Sequence, residues 1–225
     1  MKVLYEDNHI IAINKQASEL VQGDSTGDRT LAEDIKDYIA EKYKKPGAVY
    51  IGLPHRLDRP VSGVVVFART SKALGRMNTM FQEKEVKKIY YAIIKDRPPD
   101  EEGKLSNWLK KNEKQNKSYA YKKEVKGSKL ATLSYRVIKR IDSYYLLEID
   151  LHTGRHHQIR CQLAEAGCAI RGDMKYGYPR SMKGGGIGLH ARQISFIHPV
   201  KKEPLTITAP LPDNDLWPIF KESLK

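Results

Sequence analysis

The chain has 225 residues, of which 40% are apolar, and it carries a formal net charge of +13. This length suits one large domain or two small ones, and so large an excess of positive charge fits a polyanionic partner, with nucleic acid ahead of a membrane surface. No apolar stretch approaches the roughly 18 residues of a membrane-spanning helix, and residues 1–9 lack the long apolar centre of a secretory signal. The cysteines, Cys161 and Cys168, do not form a Cys-x-x-Cys pair, which favours a reducing cytoplasm.

The first elements predicted along the chain are a hairpin and a helix. The short apolar runs Val3–Tyr5 and Ile10–Ile13 flank a polar turn, as in two adjacent strands, and Asn14-Lys15 closes the second run. Thr30 is a favourable cap for a helix that continues to Tyr43. The apolar face of this helix comprises Leu31, Ile35, Tyr38 and Ile39.

Residues 54–70 combine a polar loop with a buried strand. Val64–Ala68 is a short apolar run rich in β-branched residues, the pattern of a strand covered on both faces. The residues before it are polar and are interrupted by proline and glycine, so Asp58 is predicted on a loop fixed to the core, where catalytic groups are frequent. Arg56 and Arg59 favour its ionised form, in which a carboxylate can serve as nucleophile, base or ion-pair partner. Taken alone, this pattern is more often a turn cap or a surface ion pair.

The next elements predicted are a helix over 72–82, capped by Ser71, and a strand over 87–95. Alternation along the strand sends Tyr90 and Tyr91 to opposite faces, so only one of them can line a site. A tyrosine without other evidence more often packs in the core with its hydroxyl group satisfied.

The segment 107–129 is strongly basic, with eight lysines against two glutamates, and Trp108, Tyr119 and Tyr121 are interleaved with the lysines. Lysines on phosphates and aromatic rings on bases are the chemistry of an RNA-facing arm. A solvated hairpin is the more frequent structure for such a composition. Both interpretations stay open at the level of the sequence.

The second half of the chain adds more strands and one clear helix. Alternating apolar residues predict strands over 133–137 and 145–149. The helix expected over about 155–166 has Thr153 as a plausible cap, and on it a buried Arg160 would need a carboxylate partner. Strands outnumber helices and do not alternate regularly with them, which favours a mixed α+β fold over a doubly wound one.

Two other kinds of site are disfavoured by the sequence. His152 and His156 have the spacing of zinc ligands on a helix, but Thr153-Gly154 disrupts a helix there and no glutamate follows His152. The run 184–188 lacks the Gly-Lys-Ser/Thr ending of a phosphate-binding loop, and there is no dinucleotide-binding fingerprint.

Six motifs, spread in order along the chain, carry a resemblance to a known family. They are His55-Arg56-Leu57-Asp58, Ser62-Gly63, Lys88-Ile89-Tyr90-Tyr91-Ala92, Thr153-Gly154-Arg155-His156-His157-Gln158-Ile159-Arg160, Gly172-Asp173-Met174-Lys175-Tyr176-Gly177 and Leu189-His190-Ala191. Together they resemble the RluA family of RNA pseudouridine synthases over nearly the whole chain. The chain departs from the family's commoner residues at Gln16, Val61 and Gln162, where the family often has Pro, Thr and His.

This resemblance implies a set of functional residues. Asp58 would be the essential carboxylate, acting on the ribose either as nucleophile or as base, and Arg160 would pair with it. Tyr90 would stack on the flipped base, and Arg56 would fill the gap that the base leaves. The further RNA-binding positions that the motifs imply are His55, Arg59, Arg155, His157 and Gln158. Neither a metal nor a cofactor is implied, because isomerising uridine to pseudouridine involves no redox change and loses no group.

The resemblance also implies a fold and a domain organisation. The fold is a mixed, largely antiparallel curved sheet flanked by helices, with a central active-site cleft. Residues 1–225 are expected to form one catalytic domain without a separate RNA-binding domain, in a cytoplasmic monomer. The expected substrate is structured RNA, with large-subunit ribosomal RNA favoured over tRNA. The alternatives are an RNA-binding protein of the same fold without catalysis, and a nuclease or glycosidase that pairs Asp58 with a second carboxylate.

Overall fold

The structure is a computed structural model, and it describes residues 1–23 and 27–224. The chain divides into two compact units, so each unit combines segments that are distant in sequence. The first unit contains Met1–Val86 and Ala191–Pro210, and the second contains Lys87–His190 and the residues from Leu211 onward. The single catalytic domain expected from the sequence stays a prediction.

The described residues form ten strands and four α-helices. The strands are β1 (Val3–Glu6), β2 (Ile10–Lys15), β3 (Ser62–Ala68), β4 (Lys87–Ile94), β5 (Glu102–Asn112), β6 (Lys117–Tyr121), β7 (Lys129–Ile141), β8 (Tyr144–Leu151), β9 (Leu189–Ile197) and β10 (Pro204–Thr208). The helices are α1 (Leu31–Lys42), α2 (Ser71–Gln82), α3 (Gln158–Glu165) and α4 (Trp217–Ser223), with a short 3₁₀ helix at Met174–Tyr176. Of the helices described, none is long and apolar enough to cross a bilayer. The mixed α+β class with largely antiparallel pairing is confirmed.

The first unit is organised around strands that are apolar along their whole length. β2 pairs antiparallel with both β1 and β3, and every residue of β2 and β3 is buried, which confirms the predicted hairpin and the predicted central strand. β9 lies beside β3. At Gly63 the backbone φ is +118°, and a Cβ built there would lie 2.3 Å from the carbonyl oxygen of Ala191. Glycine is therefore required where β3 begins, because only a residue without a side chain permits this approach.

The two helices of the first unit begin at side-chain caps. Thr30 caps α1, as the sequence predicted, and it forms a reciprocal capping box with Glu33. The buried face of α1 comprises Leu31, Ile35 and Ile39. The predicted cap of α2 was wrong by one residue: Thr70 Oγ1 accepts a hydrogen bond from the backbone N–H of Ala73 at 3.2 Å, and Ser71 is already the first helical residue. Both residues can cap a helix, so local sequence did not distinguish them.

The second unit is a set of antiparallel strands in the order β4-β8-β7-β5-β6. One apolar cluster of this unit contains Ile93, Leu146, Met182, Leu211, Trp217 and Phe220. A second cluster contains Leu109, Ala131, Cys161 and Tyr176, and it joins β5 and β7 to α3. The basic segment of the sequence is therefore structured, with β5 and β6 forming a hairpin.

Candidate active site

Asp58 lies on a tight turn directly before β3. The backbone N–H of Val61 donates to the carbonyl oxygen of Asp58 at 3.0 Å and closes the turn. Leu57 and Val61 are buried on either side of it, whereas the side chain of Asp58 is only half-buried. The carboxylate is thus carried by a short segment whose apolar neighbours fix it to the core, as the sequence predicted.

Lys15, at the end of β2, holds this turn from inside the unit. Its side chain is fully buried, and Nζ donates to the carbonyl oxygens of Val61 at 2.7 Å, Arg59 at 2.9 Å and Gln16 at 3.0 Å. Burial lowers the pKa of Lys15 to about 8, against a smaller opposing effect from the carboxylates of Glu19 and Asp58. Lys15 is a positioning residue that sequence reasoning missed, although a lysine closing a wholly apolar strand was a visible signal.

His55 is bound to the scaffold of the first unit. Its ring stacks on Phe81 of α2, with centroids 4.9 Å apart, and its Nε2 accepts a hydrogen bond from the backbone N–H of Val66 at 3.0 Å. The acceptor role requires the neutral ring with its proton on Nδ1. Direct RNA binding by His55 stays a prediction, and the contacts support a role in fixing the loop to α2 and β3.

Arg56 and Arg59 are the exposed cations of the loop. Arg56 Nη1 donates to Gln22 Oε1 at 3.4 Å, and Arg59 Nη2 contacts Asp28 Oδ2 at 2.8 Å. An exposed ion pair contributes only about 0–1 kcal/mol, so Arg59 can exchange Asp28 for phosphate oxygens at little cost, and the hydrogen bond that Arg56 would give up is a long one to an uncharged amide. The predicted RNA-binding roles of Arg56 and Arg59 are therefore compatible with their positions and stay predictions.

Arg160 on α3 is buried and bound by Asp173. Nε donates to Asp173 Oδ2 at 2.6 Å and Nη2 donates to Asp173 Oδ1 at 2.8 Å, which is the two-point geometry that arginine makes with a carboxylate. The guanidinium carbon also lies 5.1 Å from the centre of the Tyr176 ring. The sequence predicted that a buried Arg160 would need a carboxylate, and Asp173 meets this need within the second unit. The pairing of Arg160 with Asp58 stays a prediction.

The start of α3 differs from the sequence prediction. The helix begins at Gln158, not near residue 155, because His157 has a left-handed backbone with φ of +52°. Thr153 does not cap it: its hydroxyl group donates to Gln158 Oε1 at 2.7 Å and accepts from the N–H of Thr132 at 2.9 Å. Gln158 Nε2 donates to the carbonyl oxygen of Thr132 at 3.0 Å. The amide of Gln158 thus joins the turn before α3 to β7, and its predicted contact with RNA stays untested.

His157 is buried beside Arg160 and stays neutral. Burial and the charge of Arg160 lower the pKa of His157 to about 2. Its Nδ1 lies 3.0 Å from the hydroxyl group of Tyr176, and its ring stacks on His156 with centroids 3.8 Å apart. Its predicted role in binding RNA stays a prediction, and its contacts support a positioning role beneath Arg160.

The two adjacent tyrosines of β4 point to opposite faces. Tyr91 packs against the apolar cluster of the second unit that contains Ile93. Tyr90, opposite Ile149 of β8, is half-buried on the other face, which it shares with Lys88. Burial lowers the pKa of Lys88. The two tyrosines therefore lie on opposite faces, as the sequence predicted, and the role of Tyr90 in a site stays a prediction.

A family model described as RNA pseudouridylate synthase matches residues 9–165. The chain belongs to the RluA family of RNA pseudouridine synthases. The matched range includes Asp58, Tyr90 and Arg160, which lie within the family-like motifs. Asp58 belongs to the first unit, whereas Tyr90 and Arg160 belong to the second, and their joint action stays a prediction.

Relatives of this RluA-family chain carry related names. An uncharacterized RNA pseudouridine synthase of Synechocystis sp. is 32% identical over 215 residues, covering 94% of this chain and 66% of the relative. The ribosomal large subunit pseudouridine synthase D of Neisseria meningitidis is 32% identical over 228 residues, covering 95% of this chain and 59% of the relative. The chain thus spans about three fifths to two thirds of these relatives' length.

A solved structure shares the fold. Human RNA pseudouridylate synthase domain containing 4 aligns with a TM-score of 0.79 at 22% identity, covering 99% of this chain and 91% of that one. Within the described part of the chain, no group of three or more histidine, cysteine, aspartate or glutamate side chains is placed to hold a metal ion. His152, one of the residues with zinc-like spacing, instead has Nε2 2.8 Å from the hydroxyl group of Ser134.

The buried amine of Lys15 leads to a prediction about pH. Since its folded pKa of about 8 lies below the ordinary 10.5, the unfolded chain binds more protons at this group between those two values. The contribution of Lys15 to the free energy of unfolding therefore rises with pH across that window. In protein labelled with ¹³C at lysine Cε, the resonance of Lys15 is expected to titrate near pH 8.

The resonance that is absent from the Lys15→Met variant is assigned to Lys15. This variant should also lose the increase in the free energy of unfolding between pH 8 and pH 10.5. A Lys15 resonance that titrates with exposed lysines near pH 10.5 would contradict the proposed burial of the charged amine. Asp58→Asn offers a second check, because removing the neighbouring carboxylate should lower the pKa of Lys15 further.

Proposed function

We propose that this chain isomerises uridine to pseudouridine in RNA. The main support is the half-buried Asp58 on a turn anchored by Lys15, in a chain whose residues 9–165 match the family model. The excess of positive charge suits an RNA substrate. The two buried, unpaired cysteines suit the reducing cytoplasm that we propose as its location.

In the proposed reaction, the bond between ribose C1′ and uracil N1 breaks, the base turns, and C1′ bonds to C5. The proton on C5 leaves, and N1, which carries no proton while it is bonded to the ribose, gains one, so the product has the composition of the substrate. Asp58 supplies the carboxylate that acts on the ribose, as nucleophile or as base. No electron acceptor or group donor enters this balance.

The target uridine must leave its stack to expose the bonds that change. We assign Tyr90 to stacking on the flipped uracil, because its neighbour Tyr91 is engaged in the core. Arg160 contributes a fixed positive charge whose orientation is set by Asp173. Arg56, exposed on the loop of Asp58, is assigned to the space that the base vacates.

Large-subunit ribosomal RNA is the substrate that we favour, with tRNA as the alternative class. The Neisseria meningitidis relative, named for the ribosomal large subunit, matches 95% of this chain. A monomer is proposed as the acting form.

The direct test uses RNA transcripts that carry tritium at C5 of uridine. Incubation with the purified protein is expected to release tritium into water from large-subunit ribosomal RNA, because the C5 proton is lost in the isomerisation. Mapping pseudouridine in total RNA from a strain that lacks the protein should show an unmodified uridine in the RNA that releases tritium in this assay. Binding of both RNA classes without tritium release from either would favour the alternative of an RNA-binding protein without catalysis.

A further inference from the structure

The hairpin of β5 and β6, with the adjoining start of β7, has one face packed inside the second unit. We call this element the arm. Leu109 of β5 and Ala131 of β7 are buried in the cluster with Cys161 and Tyr176. The backbone N–H of Ser118 donates to the hydroxyl group of Tyr176 at 2.8 Å. Much of the inner face of the arm therefore packs within the second unit.

The outer face of the arm carries large aromatic and apolar side chains in adjacent positions. Trp108 lies directly opposite Tyr121 on β6 and Leu130 on β7, so the three side chains share one face. Tyr119 lies opposite Lys110 in the next pair on that face. Tyr119, Tyr121 and Leu130 are 38%, 39% and 43% exposed. The solvent-facing side of an antiparallel sheet is normally polar, so a row of this kind indicates a binding surface.

Positive charge surrounds this aromatic row. A groove of about 390 Å³ is lined by Lys110, Lys111, Asn112, Tyr119 and Tyr121. Lys117 Nζ lies 5.6 Å from the centre of the Tyr119 ring. Segment 107–129 as a whole holds eight lysines against two glutamates, so its charge is complementary to a polyanion.

We propose that the outer face of the arm binds unpaired nucleotides of the RNA substrate. Bases stack on Tyr119, Tyr121 and Trp108, and Lys110 and Lys117 contact phosphates. Stacking requires bases that are free of a duplex, so the ligand class is single-stranded RNA. The proposal rests on the proposed function, which it extends from the modified uridine to neighbouring nucleotides.

The arm is tied to the segment that carries Arg160. Ser118 Oγ lies 2.9 Å from His156 Nδ1 and donates to the carbonyl oxygen of His156 at 2.7 Å. Arg155 Nε donates to the carbonyl oxygen of Leu130 at 3.1 Å, which places this predicted RNA-binding arginine at the edge of the aromatic row. An RNA strand held on the arm is therefore held at a fixed position relative to α3.

The two tryptophans of the chain provide a built-in test. Trp108 is half-exposed on the arm, whereas Trp217 is 1% exposed in the core, so added RNA can stack only on Trp108. In the Asp58→Asn background, which prevents turnover, oligouridine of about ten nucleotides should quench tryptophan fluorescence. A perfectly paired RNA duplex of equal length should quench it much less.

Variants of the arm separate stacking from charge. The double variant Tyr119→Ala/Tyr121→Ala is expected to weaken oligouridine binding at least about tenfold, since stacking on each ring contributes to affinity. Tyr119→Phe/Tyr121→Phe should stay within about threefold of the parent, because the rings remain. Lys110→Gln and Lys117→Gln should each reduce the slope of log affinity against log salt by about 0.7.

The control is Ile197→Ala, which removes an exposed apolar side chain in the first unit and should leave RNA binding unchanged. Thermal melting verifies that each variant folds, and the phenylalanine variant keeps the test valid if the alanine variant melts early. Oligouridine affinity that is unchanged in a folded alanine variant, or equally reduced for duplex RNA, would overturn the proposal. Binding by the arm without tritium release would instead leave this proposal standing and refute the isomerase assignment.

Discussion

Asp58→Asn is expected to reduce pseudouridine formation by at least about a thousandfold. The carboxamide has nearly the shape of the carboxylate, but it is neutral and serves neither as a nucleophile nor as a base. The turn should persist, because it is closed by backbone groups and held by Lys15, whose three hydrogen bonds go to main-chain oxygens. Tritium release from C5-labelled RNA, with enzyme in excess over RNA, measures the chemical step directly.

Measuring the RNA affinity of Asp58→Asn shows whether activity is lost because the chemical step fails or because the protein no longer folds. The affinity of Asp58→Asn for the RNA should stay within about threefold of the parent, because the lysines and arginines that contact phosphates are unchanged. Asp28→Asn is the matched control: Asp28 is an exposed carboxylate paired with Arg59, and its loss should leave turnover nearly intact. Turnover by Asp58→Asn at a tenth of the parent rate or more would refute the role assigned to this carboxylate.

The elements that the sequence predicted correctly are those whose signal is local. β3 follows from its continuous apolar run, and α1 follows from the cap Thr30 and an apolar face at helical spacing. The choice of Tyr90 came from the family resemblance, whereas its position on the face opposite Tyr91 needed only strand alternation. Such patterns are set by residues within one or two turns of each other, so they can be read without a structure.

The features that the sequence did not yield depend on contacts between distant segments. Lys15 binds carbonyl oxygens some 44 and 46 positions away. Every residue type has a main-chain carbonyl group, so the sequence does not reveal which residues accept these hydrogen bonds. Asp173 belongs to a recognised motif, but only the folded second unit brings its carboxylate to Arg160. The late start of α3 arises because Gln158 bonds to β7 and His157 is left-handed, which overrides a plausible cap at Thr153.

Asp173→Ala is expected to lower the free energy of unfolding by about 3–5 kcal/mol. The substitution removes two charge-assisted hydrogen bonds from a guanidinium that stays buried, and breaking one side of such a pair is costly. Urea unfolding followed by the fluorescence of Trp217, which is buried in the same unit, measures the change. Glu148→Gln is the control, because Glu148 pairs with the largely exposed Arg136 and its loss should cost at most about 1 kcal/mol.

Replacing both Arg160 and Asp173 separates the contribution of the ion pair to stability from its contribution to the reaction. In Arg160→Met/Asp173→Leu the charges are removed together, so much of the lost stability should return, since apolar side chains of similar volume can substitute for a buried ion pair. Pseudouridine formation should nevertheless stay as low as in Arg160→Met alone, because the fixed positive charge is absent. A double variant that is both stable and active would show that the pair only fills space, whereas a stable and inactive one indicates that the reaction needs the charged group at position 160.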